Sequence, residues 1–151
     1  MTDSYSNVGE VRSRTPVHLW IIGVLALLWN LMGVFDYLAT QLELDFYMSE
    51  FTADQLAFFY GFPKWAVAGW AFGVWGAFAG SIGLLMRRKW SVWAFAVSLV
   101  GMVISFSYTF GMSNGAEMMG PGEMIFTVVI WVVSIFLLWY SWSQAKSGVL
   151  V

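Results

Sequence analysis

Residues 66–83, AVAGWAFGVWGAFAGSIG, carry the pattern on which the predicted fold of this chain depends. Its small residues follow one another at spacings of three, four, three, four and three: Ala66, Gly69, Gly73, Gly76, Gly80 and Gly83. An α-helix places these positions on one face, and a seven-residue repeat keeps that face in register along a left-handed supercoil. In water each glycine would cost a helix about 1 kcal/mol relative to alanine. In a bilayer, small residues instead let helix backbones approach closely, so we predict a tightly packed membrane-spanning helix.

The composition of the whole chain points to the same class of protein. Of its 151 residues, 60% are hydrophobic and 11% are charged, whereas soluble domains carry about 25% charged residues. The length leaves room for four spans of about 20 residues each. The net charge of −2 and the lack of a basic stripe argue against nucleic-acid binding. The absence of cysteine excludes disulfides and thiolate metal sites, and the single histidine, His18, excludes a bis-histidine haem within one chain.

Four apolar runs divide the chain into membrane spans and connections. Pro16 opens the first run, which is longer than the roughly 7–15 residues of a signal-peptide core, so we expect it to be retained. The predicted spans cover about residues 17–40, 65–86, 90–110 and 124–142. Residues 16–142 then form one transmembrane domain, with a flexible cytoplasmic tail at residues 1–15 and another cytoplasmic tail at residues 143–151.

The connection between the first two spans contains a helix-start signal. Thr52 and Gln55 have the spacing of a capping box, in which each side chain accepts a hydrogen bond from the other residue's backbone N–H. We therefore predict a short helix along the membrane surface, from Ala53 to Phe59 or Tyr60.

Basic residues near the span ends predict the orientation. One side of the membrane would carry Lys64 alone, and the other would carry six basic residues: Arg12, Arg14, Arg87, Arg88, Lys89 and Lys146. Because basic loops tend to stay in the cytoplasm, we expect both termini and the turn at residues 87–89 to be cytoplasmic. The opposite connections are mainly acidic.

The small-residue spacing of the second span recurs in the other three. The first span has Gly23, Ala26, Asn30, Gly33, Tyr37 and Thr40. The third has Ser91, Ala94, Ser98, Gly101, Ser105 and Tyr108, and the fourth has Thr127, Ser134 and Ser141. This pattern predicts an all-α membrane protein, a left-handed four-transmembrane-helix bundle with small-residue heptad seams and crossing angles of about 20°.

Three strings of sequence resemble a known family. They are LLWNLMGVFDY (residues 27–37), GFPKWAVAGWAFGVWG (residues 61–76) and SLVGM (residues 98–102). They are similar to a family of small four-span bacterial inner-membrane proteins that often carry the automatic label "sugar transporter". The resemblance runs from Pro16 to the end of the sequence. It implies a bacterial inner-membrane location and a sugar-transport function, and it supplies no binding residues.

Asp36 is the one acidic residue inside a predicted span, and it sits near the outer end of the first. Two interpretations are open. Ionisable groups within membrane spans are costly and often functional, so Asp36 could be a proton-coupling or ligand-binding carboxylate. Alternatively, it is an interfacial aspartate paired with Lys64.

Other polar residues fall in the same outer half of the predicted bundle. The Asn30 amide lies near mid-membrane and needs partners inside the bundle: Ser98, Ser105 or a backbone carbonyl, unless it lines a small polar pocket. We predict a shallow cavity that would suit a small polar or sugar-like ligand, and equally a lipid. The candidate ligand-binding residues are Asn30, Asp36, Tyr37, Ser105, Tyr108 and Thr127.

The chain contains no Walker motif, zinc motif, nucleophile–base pair or dinucleotide fingerprint, so we expect no enzyme, cofactor or metal site. The function that we expect is a small transporter or binder of a small polar ligand. Four helices rarely enclose a transport path alone, so it would act in contact with membrane lipids as a homo-oligomer or with a partner membrane protein. The alternative is a non-catalytic accessory or assembly subunit of a larger membrane complex. A transporter needs a polar path to both sides, whereas the cytoplasmic half of the seams is nearly apolar.

Overall fold

The computed structural model describes residues 14–151, and within them every regular element is helical. In chain order the helices are α1 Val17–Gln41, α2 Asp45–Met48, α3 Ala53–Tyr60, α4 Lys64–Leu85, α5 Trp90–Ser107, a π-helical turn Tyr108–Met112, α6 Gly115–Met118 and α7 Pro121–Lys146. Four of these are long and apolar enough to cross a membrane: α1, α4, α5 with its π-helical turn, and α7. The all-helical fold and the presence of four helices able to span a membrane are thereby confirmed.

Prolines mark the starts of three spans. Pro16 and Pro63 precede α1 and α4 in extended conformations, with ψ of 145° and 151°, and Pro121 is the first residue of α7. Proline suits these positions because the first N–H groups of a helix have no intrahelical partner. α7 therefore begins three residues before the predicted start at residue 124.

α7 extends past residue 142, the predicted end of the fourth span. α7 continues to Lys146, and Val149 and Leu150 are buried, at 7% and 0% exposure. Two backbone hydrogen bonds hold this segment against the α4–α5 turn, from Lys89 N to Val151 O (3.1 Å) and from Val151 N to Arg87 O (2.7 Å). The other expected tail, residues 1–15, lies outside the described residues except for its last two, and so does Arg12.

The predicted surface helix is present as α3. Thr52 Oγ1 accepts a hydrogen bond from Gln55 N at 3.3 Å, and Gln55 Oε1 accepts one from Thr52 N at 3.0 Å. These two bonds form the capping box, which fixes the first residue of α3. The side chain of Gln55 is thereby held at the acidic end of the bundle, which we define as the end that carries residues 43–54 and 113–123.

The spans pack in the series α1, α4, α5, α7. α4 has its most extensive contact with α5, while α1 packs on α4, and α7 packs on α5. The α4–α5 contact is close enough to bring backbones together. A Cβ atom added at Gly101 would lie 2.5 Å from the backbone oxygen of Gly69, and one at Gly80 would lie 2.8 Å from the Phe95 ring. Glycine is required at both positions because a side chain would separate the helices.

A packed core fills the opposite, basic end of the bundle, which carries residues 87–89. Its members come from all four spans and from the segment after α7: Leu19, Ala26, Leu84, Phe95, Leu137, Tyr140, Val149 and Leu150. His18 and Tyr140 form a hydrogen bond that joins α1 to α7 at this end. α1 and α7, the first and last helices of the series, are thus brought together in the basic half.

Candidate functional site

A cavity of about 810 Å³ occupies the acidic half of the bundle. All four spans line it, and α2, α3 and α6 contribute further side chains at the acidic end. Its walls are rich in aromatic residues, ten in all: Trp29, Phe35, Tyr47, Phe51, Phe58, Phe59, Phe62, Trp70, Phe106 and Phe126. The two ends of the helix series face each other here through side chains, with the rings of Trp29 and Phe126 5.7 Å apart.

Asn30 lies at the inner end of this cavity, on α1. Its amide Nδ2 donates to Ser81 Oγ at 2.8 Å and to Ala77 O at 3.2 Å, both on α4. The expected bond to a backbone carbonyl is present, but the serine partner is neither Ser98 nor Ser105. Both of those belong to α5, whereas α1 packs on α4. Beyond Ser81 the packed core of the basic half begins.

Asp36 is held by a tyrosine. The Tyr47 hydroxyl donates a hydrogen bond to Asp36 Oδ1. Within residues 14–151, no ion pair links Asp36 to Lys64, whose side chain is exposed at the first position of α4. The Asp36–Lys64 pair, one of the two interpretations that the sequence left open, is therefore not formed, and α2 folds back and supplies Tyr47 as the partner. Asp36 and Tyr47 both line the cavity.

The fold-back of α2 begins directly after α1. Glu43 adopts a left-handed conformation, with φ of 51°, and Leu44 N then donates to Ala39 O at 3.0 Å. This reversal returns Tyr47 to the outer end of α1. Burial, the hydrogen bond to Asp36 and the charge of Asp36, in that order, raise the pKa of the Tyr47 phenol. Tyr47 therefore stays protonated and remains a hydrogen-bond donor at physiological pH.

The candidate residues from the sequence divide into two groups. Asn30, Asp36, Ser105 and Thr127 line the one cavity. Tyr37 and Tyr108 do not appear in its lining. The Tyr37 ring packs edge-on against Trp70, with ring centroids 5.1 Å apart, because the position after Asp36 is rotated by about 100° around the helix.

Tyr108 occupies a separate aromatic contact. Its ring packs against Phe62 at 5.0 Å between centroids, and its hydroxyl donates to Gly61 O at 3.4 Å. Tyr108 is also the first residue of the π-helical turn, where the regular α-helical period ends. The heptad spacing used to place it on the cavity face therefore stops applying at this residue.

Two residues at the rim of the cavity, Gln55 and Glu123, are not among the ligand-binding candidates predicted from the sequence. Gln55 Nε2 donates to Glu123 Oε1 at 3.4 Å and so joins α3 to α7. Glu123 Oε2 also accepts a hydrogen bond from Gly120 N, at 2.9 Å, which caps the start of α7. Each residue carries a helix-capping signal in the sequence, and that local signal did not reveal that the two helix starts are neighbours.

Comparisons with protein-family models, with curated proteins and with solved structures found no match for this chain. The lining residues of the cavity are therefore the evidence for what it can bind. Within residues 14–151, no group of three or more His, Cys, Asp or Glu side chains is placed to hold a metal ion. What the cavity offers is an apolar, aromatic wall with a half-buried amide at its inner end and two carboxylates toward the acidic end of the bundle.

Proposed function

We propose that this protein is a small integral membrane protein that binds a small ligand in the cavity of its acidic half. One observation carries the proposal: the acidic half contains a partly open cavity of about 810 Å³, and Asn30 and Asp36 both line it. The volume lies in the range of roughly 300–1,000 Å³ that is usual for small-molecule sites. Polar groups at membrane depth are costly, and they are commonly retained at substrate or ion sites.

The location and finer architecture belong to the same proposal. Following the basic-residue bias, the basic end faces the cytoplasm of a bacterial inner membrane and the cavity faces the outside. The helix crossings are those of a left-handed bundle whose small-residue heptad seams hold the spans together. The buried glycines Gly69, Gly73, Gly80 and Gly83 on α4 support that arrangement.

Binding is favoured over transport by a single copy. The core of the basic half is mainly apolar, with Ser91, Ser141 and Gln144 as scattered buried polar residues, and it begins directly below the Asn30–Ser81 hydrogen bond. A sugar-like solute would meet no polar path through it. Transport in this proposal therefore requires a homo-oligomer or a partner membrane protein. The accessory-subunit alternative differs in one respect that can be tested, because it requires no ligand.

The proposal is tested with a substitution that fills the cavity. Thr127 is buried and lines the cavity, whereas Val128, the next residue of α7, is 57% exposed and faces away from it. We expect Thr127→Trp to fold and to lose stabilisation by added ligand, because the indole occupies the binding space. Val128→Trp adds the same ring outside the cavity and should respond like the unmodified protein.

The measurement is thermal unfolding of purified protein in detergent against a panel of monosaccharides and small amphiphiles, with native mass spectrometry for ligands that co-purify. Ligand binding to the folded state raises the unfolding temperature. A ligand that stabilises Thr127→Trp as strongly as the unmodified protein would show that the cavity is not its site. If the unmodified protein responds to nothing and co-purifies with nothing, the accessory-subunit function takes precedence.

A further inference from the structure

The charged groups of the cavity are all acidic. Its lining includes Asp36 and Glu123, and of residues 14–151 no lysine, arginine or histidine lines it. The hydrogen-bond partner of Asp36 is the neutral Tyr47 hydroxyl. A carboxylate held within a membrane span is costly unless an opposite charge or a bound proton compensates it. A positive charge on a ligand can therefore lie beside Asp36, where the lining supplies none.

Several of the uncharged polar groups of the cavity have already used their donors within the protein. The Asn30 amide donates to α4, as described above, and Ser98 Oγ donates to Gly73 O at 2.5 Å. Ser134 Oγ donates to Ile130 O at 2.8 Å. What remains for a ligand is mainly the carboxylate oxygens, with the hydroxyls of Thr40 and Ser105. An anion, which needs donors from the protein and meets two carboxylates here, fits this arrangement poorly.

The aromatic walls favour the same ligand chemistry. The faces of aromatic rings attract cations, tryptophan most strongly, and the attraction grows where water is excluded. Trp29 and Trp70 both line the cavity, with Phe58, Phe62 and Tyr47 among the other rings. Aromatic surface also accommodates hydrocarbon substituents. Rings and a carboxylate around one space can hold a cation that carries apolar groups.

We infer that the cavity binds an organic cation. An ammonium group, quaternary or protonated, lies beside the Asp36 carboxylate, and its hydrocarbon substituents lie against the aromatic walls. This inference rests on the proposed function, since it names the ligand class of the same cavity. It replaces the sugar-like ligand expected from the sequence with a positively charged, partly apolar one.

The first test compares two probes of the same shape, benzyltrimethylammonium and neopentylbenzene, in which carbon replaces the nitrogen. Equilibrium dialysis against the full chain in detergent measures both at known free concentration, with protein-free detergent as the blank. We expect the cation to bind saturably and at least about tenfold more tightly than its neutral counterpart. Equal affinity for the two probes would overturn the cation inference and leave the proposed function standing.

The second test removes the charge without changing the shape. Asp36→Asn keeps an oxygen for the Tyr47 hydroxyl, and we expect about a tenfold loss of cation affinity with unchanged neutral binding. Asp54→Asn is the matched control, because it makes the same charge change at an exposed residue that does not line the cavity. An equal loss in Asp54→Asn would show a general charge effect and would overturn the role of the cavity.

A second pair of variants keeps the test informative if Asp36→Asn does not fold. Glu123→Gln retains an oxygen for the Gly120 N–H, and Glu117→Gln is its control away from the cavity lining. We expect a smaller loss of cation affinity for Glu123→Gln, because this residue is exposed at the rim. If neither probe binds the unmodified protein, the cation inference fails, and the Thr127→Trp experiment still decides the proposed function separately.

Discussion

The two halves of this bundle use the same four helices and differ in what lies between them. In the basic half, large side chains meet at the centre, and the segment after α7 adds Val149 and Leu150 to the core. In the acidic half, the facing positions are small, as at Gly73, Ser98 and Ser105, and a cavity remains. Packing in this apolar helix bundle is therefore not uniform along its length. Where large side chains do not meet at the centre of the bundle, small residues leave usable space.

The largest difference between the halves should appear when a side chain is removed. Leu84 is fully buried in the basic half, and Ile130 lines the cavity. We expect Leu84→Ala to reduce the free energy of unfolding by about 2–5 kcal/mol, because it creates a new void in a filled core. Ile130→Ala should cost clearly less, since that side chain already borders empty space.

Unfolding of the two variants in mixed detergent micelles, followed by circular dichroism, measures this difference. The exposed change Val132→Ala controls for loss of side-chain volume outside the bundle, since Val132 is 61% exposed. Equal losses for Leu84→Ala and Ile130→Ala would show that the two halves are packed alike and would remove the basis of the comparison.

An intermediate difference should appear when a methyl group is added. A Cβ at Gly80 would lie 2.8 Å from the Phe95 ring, whereas one at Gly73 would first meet Met102 Cγ at 3.4 Å, an ordinary contact. We expect Gly80→Ala to destabilise by about 1–3 kcal/mol through overpacking. Gly73→Ala should be neutral, or stabilising by up to about 1 kcal/mol, because alanine favours the helix.

Thermal unfolding of both variants in the same detergent provides the measurement. Gly33→Ala is the control for helix propensity alone, since a Cβ there has nothing within 4 Å. If Gly73→Ala were as damaging as Gly80→Ala, the space beside Gly73 would not be free, and the boundary between the halves would have to be moved.

The smallest effect should come from the hydrogen bond that joins α1 and α7 at the basic end. Tyr140→Phe removes the hydroxyl that bonds His18 and keeps the ring in the core. We expect a loss of about 0.5–1.5 kcal/mol, as for a typical hydrogen bond. Tyr37→Phe tests the same chemical change on a ring held by packing against Trp70. A larger effect for Tyr37→Phe would contradict the assignment of the α1–α7 link to Tyr140.

The sequence predicted the features that depend on neighbouring residues. Proline and capping signals are local, so the starts of α1 and α3 at Val17 and Ala53 were expected. The partners of Asn30 and Asp36 could not be predicted in the same way. They depend on which helix lies beside α1 and on the reversal at Glu43. That reversal brings Tyr47 back to Asp36, 11 positions earlier in the chain. The burial of Leu150 likewise depends on a distant turn rather than on its own neighbours.

Glu123 links the starts of α7 and α3 at the rim of the cavity, so the two helix ends should move on the same timescale. One carboxylate oxygen holds the first turn of α7 through Gly120, and the other holds α3 through Gln55. Fraying of that helix end therefore releases the rim at the same moment. Helix ends fray at almost no free-energy cost, and helix–coil exchange takes about 0.1–1 μs. We expect the Gln55–Glu123 hydrogen bond to break and re-form on that timescale, while the amide protons of the basic half remain protected from hydrogen exchange for as long as the bundle stays folded.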